Sequence, residues 1–344
     1  MKKDARDALA VLAARPDGVH TLATVVRVQG SSYRRVGARM LVHASGVIAG
    51  SVSGGCLEGE IARKGRWWAE HGPVVKRFAE SGDADAVSAA GCGGVIDVLI
   101  ENVRADDERG PLAALRWIAE RRVPARIVTV IGGERLGERR LGARHVSTGD
   151  EVWPHSETAD GETLVEDVDA PRELLVAGRH HDIAPVVRLA RMMGWDVTSA
   201  SRGVGRRALG EPDQVIEPTA DAVAAWTAAR PGAAIVLMTH DLELDRRLLA
   251  AILPVATPSY LGVLGPAHRT ARIIDGLDGI DATPRALAVV RTPVGLDLGG
   301  DGPEAVALSI ISDVQATWHA RAGGRLCAPG TGAWSTPRLV ATAS

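Results

Sequence analysis

The chain has 344 residues, 46% of them hydrophobic and 24% charged, enough for about two ordinary domains that each bury a core. Forty Lys and Arg stand against 42 Asp and Glu, a formal charge of −2, which excludes a global basic field for recruiting nucleic acid or an anionic membrane. The three cysteines, Cys56, Cys92 and Cys327, lack CxxC spacing; this excludes a disulfide framework and a Cys-rich zinc module and fits a reducing compartment.

No apolar run approaches the roughly 20 residues that span a bilayer. Met1-Lys2-Lys3-Asp4 leads into an Ala-rich amphipathic stretch, not the apolar core of a signal peptide, and a soluble cytoplasmic protein is expected. The first half carries β-like runs at 21–28, 38–43, 47–52, 74–78 and 95–103, with Ser45-Gly46 as a hairpin turn between the second and third. Residues 57–69, with apolar Leu57, Ile61, Trp67 and Trp68, predict a helix packed on that sheet. A further helix is expected at 111–122 and a strand at 125–131. Between 132 and 170 the pattern decays into Gly, Glu, Asp and Thr, which predicts a surface hairpin or linker and a domain boundary near 170.

Strand and helix then alternate. Strands are expected at 174–177, 195–200, 233–238 and 260–264, and helices at 183–193, 221–230, 242–253, 266–277 and 303–318. The fold class is α/β: an N-terminal mixed α+β domain over 1–170, followed by a Rossmann-like doubly wound parallel-sheet domain over 171–320. The Ala-, Gly-, Pro-, Ser- and Thr-rich residues 321–344, with Cys327, predict a flexible tail.

Three glycine-rich segments of the first half offer chemistry. In Gly30-Ser31-Ser32-Tyr33-Arg34-Arg35-Val36-Gly37-Ala38-Arg39 the hydroxyls of Ser31 and Ser32, the guanidinium groups of Arg34, Arg35 and Arg39 and the Gly37 backbone can grip phosphate or carboxylate oxygens; the alternative is a solvated Arg-rich hairpin loop. In Ser53-Gly54-Gly55-Cys56-Leu57-Glu58 a glycine turn enters a helix, where free amides favour an anion and a thiolate at Cys56, or where Ser53 caps the helix and Cys56 fills a small space. Gly91-Cys92-Gly93-Gly94 encloses a second cysteine in residues that permit close backbone approach. If Cys56 and Cys92 share a cleft with Arg34 or Arg35, soft sulfur donors beside an anion grip suit an oxyanion-bearing metal cofactor. Thiols without His or carboxylate partners nearby argue against permanent zinc.

The α/β half opens with Ala177-Gly178-Arg179-His180-His181-Asp182, which supplies only one glycine of a dinucleotide-binding turn. Its second strand ends in Ser201-Arg202, without the acidic residue that holds a ribose hydroxyl; these two residues offer a phosphate contact instead. His180 is a ligand or acid–base group, or a solvated residue at a helix start. His240 and Asp241 stand at a strand's carboxyl end, where function or helix capping accounts for them. Asp297, in a turn-rich stretch, binds a polar ligand or braces its loop. His180, His240 and His268 near strand ends carry the alternative function, an NAD(P)-dependent oxidoreductase.

GSSYRRVGARMLV, GSVSGGCLEGE, GCGGVIDVLIE, VLMTHDLELD, YLGVLGPAHRTARI and TPVGLDLGGDGPEAVALSI, in that order from residue 20 to about 318, resemble the XdhC/CoxI family of accessory factors for xanthine dehydrogenase-type molybdenum hydroxylases. The resemblance implies a maturation factor more than a turnover enzyme. Such a factor binds the molybdenum cofactor, as molybdopterin or its dinucleotide form, supports its sulfuration with sulfur from a cysteine desulfurase, and inserts it into the apo molybdenum hydroxylase. It implies a homodimer, while the charge balance and the lack of a spanning apolar run leave neither nucleic acid nor membrane expected as partner. Cys56 and Cys92 would contact the metal or carry sulfur. The arginine and glycine elements, with Glu58, His180, His240, Asp241 and Asp297, would bind the cofactor. Where the family has a Gly-Ala-Gly-His-like turn this chain has Ala177-Gly178-Arg179-His180, so NAD(P) is not expected as an ordinary ligand and a degenerate fold used for docking is the simpler reading.

Overall fold

A computed structural model describes residues 1–30, 32–46, 48–79, 87–88, 94–143, 162–255, 258–277 and 290–324. The chain divides into two compact units, Met1–Arg172 with Met193–Trp195, and Glu173–Met192 with Asp196–Ser344.

The first unit is built on a six-stranded sheet in the order β3-β2-β1-β6-β4-β5. Its strands are β1 (His20–Gln29), β2 (Arg39–Val42), β3 (Ile48–Gly50), β4 (Val74–Ala79), β5 (Val87–Ser88) and β6 (Val95–Val103). All pairings are antiparallel except β4 with β5. β1 buries seven residues in succession, because both faces of the sheet are covered. Ala23 and Val25 face the cluster under α2 (Glu58–Trp68), which holds Met40, Leu57, Ile61 and Phe78. Leu22 faces the opposite cluster, shared with α1 (Lys3–Ala14) through Ala5, Ala8 and Leu12 and with α3 (Ala113–Arg121) through Leu115 and Ile118. Ser45-Gly46 is the expected β2–β3 turn: Gly46 has φ +85° and donates its N–H to His43 O.

One expectation changes here and another is extended. Trp67 is 69% exposed, since the buried stripe of α2 runs through Ile61 and Gly65, the i, i+4 neighbours on one helix face, and position 67 points elsewhere. Within 132–170, expected as a surface hairpin or linker, β8 (Arg139–Ala143) makes a hairpin with β7 (Ala125–Val130), and β9 (Thr163–Val168) adds a further strand on the other side of β7, giving an antiparallel three-stranded sheet. Its outer strands are polar, so their alternation is weak, with Arg126 of β7 reaching across to Asp167 of β9.

The second unit is a parallel sheet in the order β12-β11-β10-β13-β14-β15. The strands are β10 (Glu173–Ala177), β11 (Asp196–Ala200), β12 (Gln214–Ile216), β13 (Ala234–Leu237), β14 (Tyr260–Val263) and β15 (Val290–Arg291). Counting within the unit, this is the 3-2-1-4-5-6 order of the doubly wound dinucleotide fold, with the reversal between β10 and β13. The fully buried runs of β13 and β14 reflect helices on both faces. α5 (Ala220–Ala228), α6 (Leu242–Ile252) and α7 (Ala267–Asp275) join the cluster of Val223, Trp226, Leu248, Ile252 and Ile273. The helices α4 (Ile183–Met192) and α8 (Pro303–Trp318) pack on each other. The short edge strands β12 and β15 were not read from the sequence. Among the described residues no helix is long and apolar enough to cross a membrane.

Phe78, the only phenylalanine of the chain, is fully buried against the edge of Trp68. Phe78→Ala is expected to cost about 3–5 kcal/mol through lost burial and the cavity left behind, read from denaturant unfolding followed by tryptophan fluorescence.

Candidate functional site

Two of the glycine-rich segments meet in the first unit. Residues 32–38 bring the chain back beside β1, with Gly37 N donating to Val25 O and Val25 N to Ala38 O. The turn favours glycine at position 37, because φ is +79° and a Cβ would press on the Glu166 carboxylate. Tyr33, 77% exposed, lays its ring over Gly54, where a Cβ would come within 3.1 Å of Tyr33 Cδ1. The arginine loop and the Gly-Gly-Cys loop are therefore neighbours.

The arginines of this loop are not equivalent. Arg39 is buried, pairing with Glu166 Oε2 at 2.7 Å and donating to Gly37 O at 2.9 Å; its guanidinium serves the fold. Arg34 is half-buried and pairs with Asp4, while its Nε has no partner among the described residues. Arg35 is exposed. Asp4, 5% exposed, also accepts from Arg39 N at 2.9 Å and so pins the start of α1 to the loop. Lys2 Nζ donates to Val36 O at 2.9 Å. Together they line a cavity of about 510 Å³ in which Lys2, Lys3, Arg34 and Arg35 face Asp4 and Asp7, with Tyr33 and Ser51 at its wall. Lys2 and Asp4 are not among the residues singled out in the sequence, where Met1-Lys2-Lys3-Asp4 is only the lead into an Ala-rich amphipathic stretch.

Glu58 organises the neighbouring loop. Its Oε1 accepts from Ser51 Oγ (2.7 Å), Val52 N (3.0 Å) and Ser53 N (2.8 Å). Its Oε2 accepts from Ser53 Oγ (2.5 Å), Gly55 N (2.9 Å) and Leu57 N (3.2 Å). Burial raises the carboxyl pKa, but the Ser53 hydroxyl and amide, the Ser51 hydroxyl and neighbouring amides outweigh it and hold the group at about 2. The amides expected to receive an anion at the start of α2 are thus largely taken by this side chain. Cys56, between two of those donors, is exposed with a free thiol; it does not line the arginine cavity. Gly94 is half-buried at the start of β6. Ser31, Cys92, Gly93 and Cys327 lie outside the described residues, as do positions 325–344 of the expected tail.

In the second unit a cavity of about 450 Å³ opens at the carboxyl ends of β10, β11 and β13, lined by Gly178, Arg179, Ser201, Arg202, Thr239, Asp241 and Arg247 among others. Gly178 is needed where the turn meets β13, since a Cβ would lie 2.7 Å from Met238 O. Asp241 is the N-cap of α6, accepting from Glu243 N and Leu244 N at 3.0 Å each. His240 has φ +58°, a left-handed conformation that a histidine adopts at some cost. Its Nε2 donates to Asp182 Oδ2 at 2.6 Å, and its ring meets the edge of His180 at 5.1 Å. Asp182 Oδ1 is buried without a partner among the described residues. No signal in the sequence paired residues 182 and 240. Asp297 is exposed. Among the described residues no cluster of three or more His, Cys, Asp or Glu can hold a metal ion.

Comparison with known proteins finds two family models. Residues 13–79 match one described as the XdhC and CoxI family, and residues 174–314 match one described as the XdhC Rossmann domain. A Bacillus subtilis (strain 168) protein, named as a probable xanthine dehydrogenase subunit, is 24% identical over 315 residues, 85% of this chain and 91% of that protein. A crystal structure of a protein named xanthine dehydrogenase from Bacillus halodurans superposes with a TM-score of 0.69 at 24% identity, covering 93% of this chain and 97% of that one; this likeness shows the shared fold.

The Glu58 network carries a pH signature. Its folded pKa lies below the ordinary 4.5, so its stabilisation is complete above about pH 4.5 and is lost as pH falls through about 2. Glu58→Gln is expected to destabilise the protein by about 1–3 kcal/mol at pH 7. In urea unfolding the gap between variant and wild type should narrow steadily below about pH 4.5.

Proposed function

Because the chain belongs to the XdhC and CoxI family, we propose that it is an accessory factor of a xanthine dehydrogenase-type molybdenum hydroxylase. In this reading it binds the molybdenum cofactor as cargo, supports its sulfuration and inserts it into the apo-enzyme. The family and the name of the Bacillus subtilis relative support the accessory role. The observation that carries the cargo reading is the cation-rich cavity beside the Gly-Gly-Cys loop.

The pterin cargo ends in a phosphate, and Arg35 with Lys2 presents side-chain donors to it, beside Lys3, which pairs with Asp7, and Arg34, whose Nε has no partner among the described residues. Tyr33, exposed and next to Gly54, offers a ring face to the pterin plane. Cys56, free and exposed two residues beyond Gly54, supplies the soft donor that suits a molybdenum centre or a transient sulfur; Cys92 with Gly93 and Gly94 is the proposed second thiol loop. Glu58 then has a positioning role, since it fixes the backbone on which Cys56 sits. His180, His240, Asp241 and Asp297 belong to the other unit, and Asp241 is engaged in capping α6. A cysteine desulfurase as sulfur donor, the apo molybdenum hydroxylase as recipient and a homodimer complete the proposal.

Mixing the purified protein with cofactor-containing extract, then measuring retained pterin by fluorescence and molybdenum by mass spectrometry, tests it. Arg35→Ala is expected to lower pterin retention about tenfold, and Cys56→Ser to lower retained molybdenum, both without a change in melting temperature, because both side chains are exposed. Equal loading of wild type and the Arg35→Ala, Cys56→Ser double variant would overturn the reading.

A further inference from the structure

We infer that the cavity of the second unit binds a nucleotide bearing a phosphate on its ribose, of the 2′-phosphoadenosine class, and selects it over the unphosphorylated nucleotide. The inference is independent of the cargo reading, which concerns the first unit.

In an open parallel sheet the ligand crevice lies outside the carboxyl ends of the strands where the order reverses. Here that edge holds the cavity of about 450 Å³. The end of the second strand is the discriminating position. A carboxylate there, about 20 residues after the glycine turn, accepts hydrogen bonds from the ribose diol and repels a phosphate. This chain has Ser201, 23 residues after Gly178, followed by Arg202. Ser201 is 5% exposed, lines the cavity, and its Oγ has no partner among the described residues. A buried hydroxyl without a partner is costly, and a phosphate oxygen would satisfy it.

Three guanidinium groups line the same cavity: Arg179 from the β10–α4 turn, Arg202 from the end of β11, and Arg247 from α6. The one carboxylate of the lining is Asp241, occupied by the amides of α6. Arg202 pairs with Glu217 at 2.6 Å, but both side chains are more than half exposed. Such a pair is worth little in water, so Arg202 can be recruited to a phosphate dianion. Arg247 Nε donates to Glu243 O at 3.4 Å and lies 3.8 Å from the Glu243 carboxylate, both weak contacts on an exposed helix face. Arg179 replaces a small residue of the usual turn and brings a cation to where the 5′-phosphate approaches. The substitution that spoils the glycine fingerprint and the substitution that removes the ribose-binding acid thus have the same sense: each favours added negative charge on the ligand.

Calorimetry with the full chain tests this with 2′,5′-ADP, 5′-AMP and inorganic phosphate as probes. Expected is a Kd for 2′,5′-ADP at least about tenfold below that for 5′-AMP, with inorganic phosphate a weaker competitor than 2′,5′-ADP. Arg202→Ala should abolish the preference while sparing 5′-AMP binding, and Ser201→Asp should reverse it. Equal affinity for the two nucleotides, absence of 2′,5′-ADP binding at millimolar concentration, a preference that survives Arg202→Ala, or inorganic phosphate competing as well as the nucleotide would each overturn the inference.

Discussion

The first unit depends on buried or half-buried carboxylates that take the place of a sheet partner for irregular backbone. Between β3 and α2 the chain has no strand to bond with, yet amides cannot be left unpaired beside a core. Glu58 resolves this by accepting from four backbone amides and two hydroxyls. Asp4 does the same on a smaller scale, holding Arg39 N and the Arg34 guanidinium. Each carboxylate fixes several donors at once, so the loops keep a defined shape while Tyr33, Arg35 and Cys56 stay exposed. Removing either acid would strand multiple donors together, whereas removing any one donor would leave the acid well supplied.

The parts of the fold that were legible in the sequence have strong one-dimensional signals. The buried runs of β10, β13 and β14 and the apolar stripes of α4 and α6 announce a doubly wound sheet, and β1, β2 and β6 announce the opening sheet. What was not legible has physical reasons. β12 and β15 are edge strands of three and two residues, too short for alternation to register. β8 and β9 are polar, and their pairing with β7 is a long-range event. The solvent position of Trp67 follows from which face of α2 meets β1, and a hydrophobicity pattern with two adjacent tryptophans does not specify that.

The candidate sites divide in the same way. The composition of the arginine loop and of the Gly-Gly-Cys loop was readable; their meeting at Tyr33 and Gly54 was not, because it is a tertiary contact between segments about twenty residues apart in sequence. Nor could the sequence rank its three arginines. Arg34, Arg35 and Arg39 look alike in a string, but Arg39 is committed to Glu166, more than 120 residues later, and Arg35 remains exposed. The partner Glu166 lies in β9, a strand the sequence pattern did not reveal, so the error about the strand and the ambiguity about the arginine have one origin.

The two units follow a common rule in presenting positive charge. Helix N-termini are ready-made anion sites, yet in both units the chain's own acids fill the start of the relevant helix, Glu58 at α2 and Asp241 at α6. Cationic character at each cavity is therefore left to guanidinium and ammonium groups on long stems: Lys2, Lys3, Arg34 and Arg35 in one, Arg179, Arg202 and Arg247 in the other. Backbone amides are fixed in place and bind an anion of one shape. Long side chains lose entropy on binding and are screened by salt where exposed, but they adapt to a bulky phosphate ester. An arrangement that gives up the rigid donors and keeps the adaptable ones suits ligands that must be released as well as held.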